Sequence, residues 1–180
     1  MIKDTNSFIY YFDGIRRRTL NFAQAIPEGF IDWSPREGAF TCGDILRHMA
    51  AVETITIHTV VRDQWQAYPG HEQDLANTRD GIILYLSETH TQSMKLLHTL
   101  PDDELNQLRP AITGRPIKAW QLLMSVVEHE IHHRSQLASY LEMMGIEPPQ
   151  IFGLQVDDVA VLSKKLARDH PGSTTKDGQL

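Results

Sequence analysis

Two histidines four residues apart, His129 and His133 in the run Val126-Val127-Glu128-His129-Glu130-Ile131-His132-His133-Arg134-Ser135-Gln136, are the residues of this chain best spaced for chemistry. On a period of ~3.6 residues they share a helical line with Leu122, Val126, Leu137 and Tyr140, which predicts a buried face. A neutral imidazole among aliphatic side chains needs partners for its ring nitrogens, and two imidazoles at i, i+4 meet that need by binding one cation. His132 falls on another line, with Gln121, Ser125, Glu128, Ser135 and Ser139, and is expected to face water or a partner subunit. His48 is the third candidate, because its own helical line carries Ile45, Val52 and Ile55. Alone it reads as a hydrogen-bonded core histidine. Beside a two-nitrogen site, which is weak and open, it reads as a third ligand. Imidazoles bind metal only when neutral, so such a site should release its cation as pH falls through the ordinary histidine range near ~6.5.

The same run also satisfies H-E-x-x-H, the zinc-peptidase pattern in which Glu130 would activate water. The residues beyond it argue against that chemistry. Gln136 and Ser139 stand where one peptidase class needs glycine and a further histidine, and Glu142 and Glu147 are poorly placed as a downstream ligand. Glu130 lies about 100° off the ligand line, so it is expected to pair with a neighbouring base instead. Glu53 lies about 140° around its helix from His48 and reads as an ion-pair or capping partner, of Arg134 for instance. Trp120, Met124, Met143 and Met144 read as core. His58, His71, His90, His98 and His170 have no partner pattern and read as surface residues. Cys42 opens a helix, where a thiolate is favoured, yet most such cysteines are small packing residues.

The elements that must position these side chains are helices. Phe8, Phe12, Ile15, Leu20 and Phe22 predict a first helix over 5–25, stopped at Pro27 and Gly29. Thr41 and Asp44 form a capping-box signature, and the second helix is expected to run from there toward Tyr68, before Pro69-Gly70. A third helix spans 78–100. A fourth begins near Pro116 and ends at Gly145, and a short fifth covers 156–167. Long amphipathic helices joined by loops predict an all-α, four-helix bundle with a short extra C-terminal helix. We read one domain over 1–168 and a flexible tail over 169–180.

Composition narrows the function classes. With 180 residues, 41% hydrophobic and 22% charged, the chain is of ordinary globular type, and no apolar run approaches the ~20 residues of a membrane span. A net charge of −6 argues against a nucleic-acid partner, and Arg16-Arg17-Arg18 reads as a solvated helix face. The lone Cys42 fits a reducing compartment, and the N-terminal residues lack a secretory pattern, so a cytoplasmic location is expected.

The chain resembles the DinB-like (DinB/YfiT-like) family of metalloproteins over nearly its whole length. The resemblance rests on Asp32-Trp33-Ser34-Pro35, on Cys42-Gly43-Asp44-Ile45-Leu46-Arg47-His48 with Glu53 following, on His129 to Gln136, and on the exit Gly145-Ile146-Glu147-Pro148-Pro149. It departs at Ser135, where relatives often carry glycine. The resemblance implies a four-helix bundle holding a divalent cation on one histidine of the second helix and two of the fourth, here His48, His129 and His133. Zinc and nickel are the first candidates, with iron and manganese also compatible. It further implies a homodimer and, from family members that are S-transferases or isomerases, a low-molecular-weight thiol meeting an electrophile at the open coordination position. A non-catalytic metal-binding or interaction bundle is the alternative from another class, and an H-E-x-x-H hydrolase is a weaker one.

Overall fold

In the computed structural model, which describes residues 2–154 and 156–170, four long helices form the expected bundle. Helix α1 spans Thr5–Ala25, α2 Cys42–Arg62, α3 Arg79–Leu97 and α4 Ala119–Met143. The extra helix, α5, spans Val156–Asp169. Among the described residues no helix is long and apolar enough to cross a membrane. Chain contacts divide the protein into two units, one ending at Pro148 and one beginning at Pro149. Of the tail expected from 169, Asp169 closes α5 and His170 follows it, while 171–180 lie outside the described residues.

Local chemistry sets the ends. Asp4 caps α1 by accepting from Ser7 N at 2.7 Å. Thr41 and Asp44 exchange both bonds of the capping box at the start of α2, at 3.0 and 2.9 Å. The second helix stops at Arg62, short of Tyr68, because Asp63 turns left-handed at φ 56° and the residues after it lose the apolar period. The fourth starts at Ala119, later than expected. Ile117–Lys118 instead pair antiparallel with Leu108–Arg109 as a two-residue ladder, β1 with β2, that the sequence reading omits. Gly145, at φ 74°, ends α4 in a Schellman turn in which Ile146 N reaches Leu141 O at 2.9 Å.

Helices α1 and α2 each pack mainly against α3 and α4, so the order around the bundle is α1, α3, α2, α4. Successive helices α1 and α2 are therefore diagonal, and the long loop between them crosses one end. Two apolar clusters fill the interior. One gathers Phe8, Phe12, Ile57, Leu97 and Leu123, and the other Phe22, Ile45, Met49, Leu86 and Leu141. Between these clusters in chain position lies a polar set comprising Arg16, Glu53, His90 and Glu130.

Candidate metal centre

The three histidines singled out by spacing converge. One nitrogen from each of His48, His129 and His133 lies within 4.8 Å of the others, and the Nε2 atoms of His48 and His129 are 3.0 Å apart. Two nitrogens bound tetrahedrally to one zinc at ~2.0–2.1 Å stand about 3.3 Å apart, so the pair needs to open only slightly. Outer partners turn the rings. His133 Nδ1 lies 3.0 Å from Gln136 Oε1, an atom that only accepts, so this nitrogen carries the proton and Nε2 keeps its lone pair. Gln136 in turn donates to Tyr140 Oη at 3.0 Å, and Tyr140 donates to the Phe40 carbonyl at 3.2 Å. His48 Nδ1 faces Tyr68 Oη at 2.7 Å. His129 Nδ1 is buried and has no hydrogen-bond partner among the described residues. The donor set fits a divalent cation: three protein nitrogens would leave at least one coordination position to an exogenous ligand.

Burial also keeps the donors neutral. The cost of desolvating a charge, with His133 and His71 adding repulsion, pushes His48 down to about 4. Desolvation, aided by His133, His48 and His132, pushes His129 down to about 3. His133 is lowered by the same desolvation, partly offset by Gln136. His132 is exposed, its ring 5.1 Å from that of His133, in keeping with its polar line. His129 and His133 are themselves half-buried. The deepest face of α4 is one residue further on and belongs to Glu130, Arg134, Leu137 and Leu141, so the histidines occupy its margin.

Glu130 points away from this centre. Its Oε2 accepts from Arg16 Nη2 at 2.8 Å, and Arg16, only 2% exposed, also pairs with the fully buried Glu53. The carboxylate that an H-E-x-x-H reading needs beside the cation is thus held by a guanidinium in the bundle core. Three other expectations change with it. Arg16 is not on a solvated face, because it follows Phe12 and precedes Thr19 on the inward line of α1. Glu53 pairs with Arg16 and His90, whereas Arg134 donates to the Ile15 carbonyl at 3.3 Å. His90 is buried, its Nδ1 2.9 Å from Glu53 and its Nε2 2.8 Å from Asp13. Cys42 is fully buried and its thiol is pushed up to about 12 by desolvation, which leaves it a packing residue. Gln136 had a legible signal, three residues after His133 on the same face. Tyr68 and His71 had none.

The family model for DinB matches residues 1–168. The chain belongs to the DinB family. Protein YjoA of Bacillus subtilis (strain 168) is 24% identical over 145 residues, spanning 78% of this chain and 91% of that protein. The crystal structure of YjoA superposes with a TM-score of 0.66 at 20% identity, over 81% of this chain and 96% of that one. A DinB-like protein from Bacillus cereus gives 0.69 at 17%, over 83% and 99%. YfiT from Bacillus subtilis, described as a probable metal-dependent hydrolase with an unusual four-helix bundle topology, gives 0.62 at 18%, over 79% and 89%. At these identities the structural likeness speaks to the fold, and the DinB bundle is what it supports.

Proposed function

We propose that this DinB-family chain is a divalent-metal enzyme that transfers a small thiol to an electrophile at a His48–His129–His133 centre. The observation that carries the reading is the convergence of three neutral imidazoles with, among the described residues, no carboxylate base beside them, since Glu130 and Glu53 are both engaged by Arg16. A cation held there would supply Lewis acidity to a nucleophile in its open position. With no carboxylate to take the proton, the nucleophile's own acidity on the cation counts, and a bound thiol, ~8.5 when free, would be deprotonated outright where bound water would keep a pKa near ~7. The thiol proton would leave to solvent, the sulfur would form a bond to the electrophilic atom, and the leaving group would depart with its electron pair. The protein's part is to hold the three nitrogens unprotonated and fix the His133 ring through Gln136. The description of YfiT favours a second reading, metal-dependent hydrolysis, in which water takes the place of the thiol.

Cobalt substitution separates them. A panel of glutathione, cysteine, mycothiol and bacillithiol is expected to include at least one thiol that adds an intense sulfur-to-cobalt charge-transfer band and supports turnover with a test electrophile. Absence of any such band, together with hydrolysis of ester or peptide substrates, would replace transfer by hydrolysis. No cobalt or zinc binding by the wild type would leave the non-catalytic bundle.

A further inference from the structure

The segment joining α2 to α3, residues 63–78, brings two side chains to the metal centre from outside the helices. Tyr68 Oη is 2.7 Å from His48 Nδ1 and 3.1 Å from His71 Nδ1. The His71 ring packs on Phe40 at 4.4 Å between centroids, and Phe40 meets His48 edge-on at 5.5 Å. His71 is therefore half-buried against the site and is not the free surface residue its sequence context predicts. Arg47, the fully buried neighbour of His48, fastens this segment. Its Nε donates to the His71 carbonyl at 2.6 Å, Nη1 to the Ala76 carbonyl at 2.7 Å and Nη2 to Asp44 Oδ1 at 2.7 Å. Gln73 adds a bond to Asp32 at 2.8 Å, tying the segment to the loop before α2. One guanidinium thus links the helical turn that carries His48 to the loop that carries its hydrogen-bond partner.

Proton bookkeeping gives the contact a direction. If His48 Nε2 binds a cation, the ring's one proton sits on Nδ1 and must be donated to the Tyr68 oxygen, which leaves the hydroxyl hydrogen for His71 Nδ1 to accept. We propose that Tyr68 is a positioning residue of the metal centre, holding His48 in the Nδ1–H form with Nε2 turned to the cation. The inference rests on the cation-binding reading above but not on the identity of the nucleophile. Outer partners of this kind are typically worth ~10–100-fold in metal affinity.

The test is zinc affinity by competition with a chromophoric chelator, read together with solvent exchange of the His48 ring proton by NMR in the zinc-loaded protein. Tyr68→Phe, which keeps the ring and removes the hydroxyl, is expected to weaken zinc about 10–100-fold and to speed exchange of the His48 Nδ1 proton. Tyr10→Phe, at an exposed tyrosine, should change neither. Arg47→Lys keeps the charge but cannot span three acceptors, and should shift both readouts in the direction of Tyr68→Phe. Unchanged affinity in Tyr68→Phe, or weakened affinity with the His48 proton still protected, overturns the positioning role. A wild type that binds no zinc overturns the cation reading and this one together, so the two failures are distinguishable.

Discussion

At the residue scale, His129 and His133 lie at the margin of the α4 core face and His48 is half-buried on α2, positions desolvated enough to keep a side chain neutral and open enough to meet a solute. His48→Ala, His129→Ala and His133→Ala should each lose most bound metal, while His132→Ala, on the exposed line, should keep it; elemental analysis of the purified variants decides. Equal loss in His132→Ala and His133→Ala would break the assignment. The same partial burial moves the predicted acid range below the one expected from the sequence. With His48 near 4 and His129 near 3, protons compete for these nitrogens well below ~6.5, so zinc content after dialysis should be the same at pH 5.5 as at pH 7. Loss of half the metal between those two values would contradict it. The i, i+4 pair was legible because its geometry is local, and His48 because its helical line is. Tyr68 and His71 were not, since their position depends on a loop closing over α2 and on the two Arg47 hydrogen bonds to its carbonyls, which no spacing in the sequence encodes.

At the scale of elements, α1 to α4 each contribute one member of the buried polar set: Arg16, Glu53, His90 and Glu130. The phase of α1 held the information that places Arg16 inside, through Phe8, Phe12, Ile15 and Thr19, but three consecutive arginines masked it. Arg16→Leu leaves two carboxylates buried without their partner and should cost ~3–5 kcal/mol in denaturant unfolding. Glu130→Gln should likewise lower stability while sparing the ligand geometry, because its contact is with Arg16 and not with the histidines. A loss below ~1 kcal/mol in Arg16→Leu would mean the set is solvated. Burial opposes the proton on His90, but the hydrogen bond and charge of Glu53 outweigh it and raise its pKa above 6.5. That stabilisation is complete below 6.5 and fades as pH rises through the raised value. Burial opposes the Glu53 charge, yet Arg16 and His90 lower its pKa below 4.5; its contribution is complete above 4.5 and fades as pH falls through the lowered value. The Glu53–His90 pair should therefore contribute most between 4.5 and 6.5, with its alkaline decline lost in His90→Gln, while the lowered His48, His129 and His133 act the other way and favour the unfolded chain as pH falls below 6.5; denaturant unfolding of both proteins across pH reads the difference.

For the whole molecule, every residue of the candidate centre and of the buried polar set lies in the unit that ends at Pro148. A chain cut after Pro148 is expected to keep the zinc stoichiometry and the cooperative thermal transition of the full chain, as measured by elemental analysis and circular dichroism; loss of either would assign the C-terminal unit a part in the fold. The diagonal placement of α1 and α2 bears on a different property, the order of events in folding. A bundle of adjacent hairpins can assemble by docking each helix on its predecessor, but here α1 finds its main neighbours only when α3 and α4 have formed. The contact between His48 and His129 spans 81 residues and is among those that must wait. A cation recruited by it can bind only once α2 and α4 have met, so zinc should slow escape from the native state more than it speeds arrival, as refolding and unfolding rates with and without zinc would read.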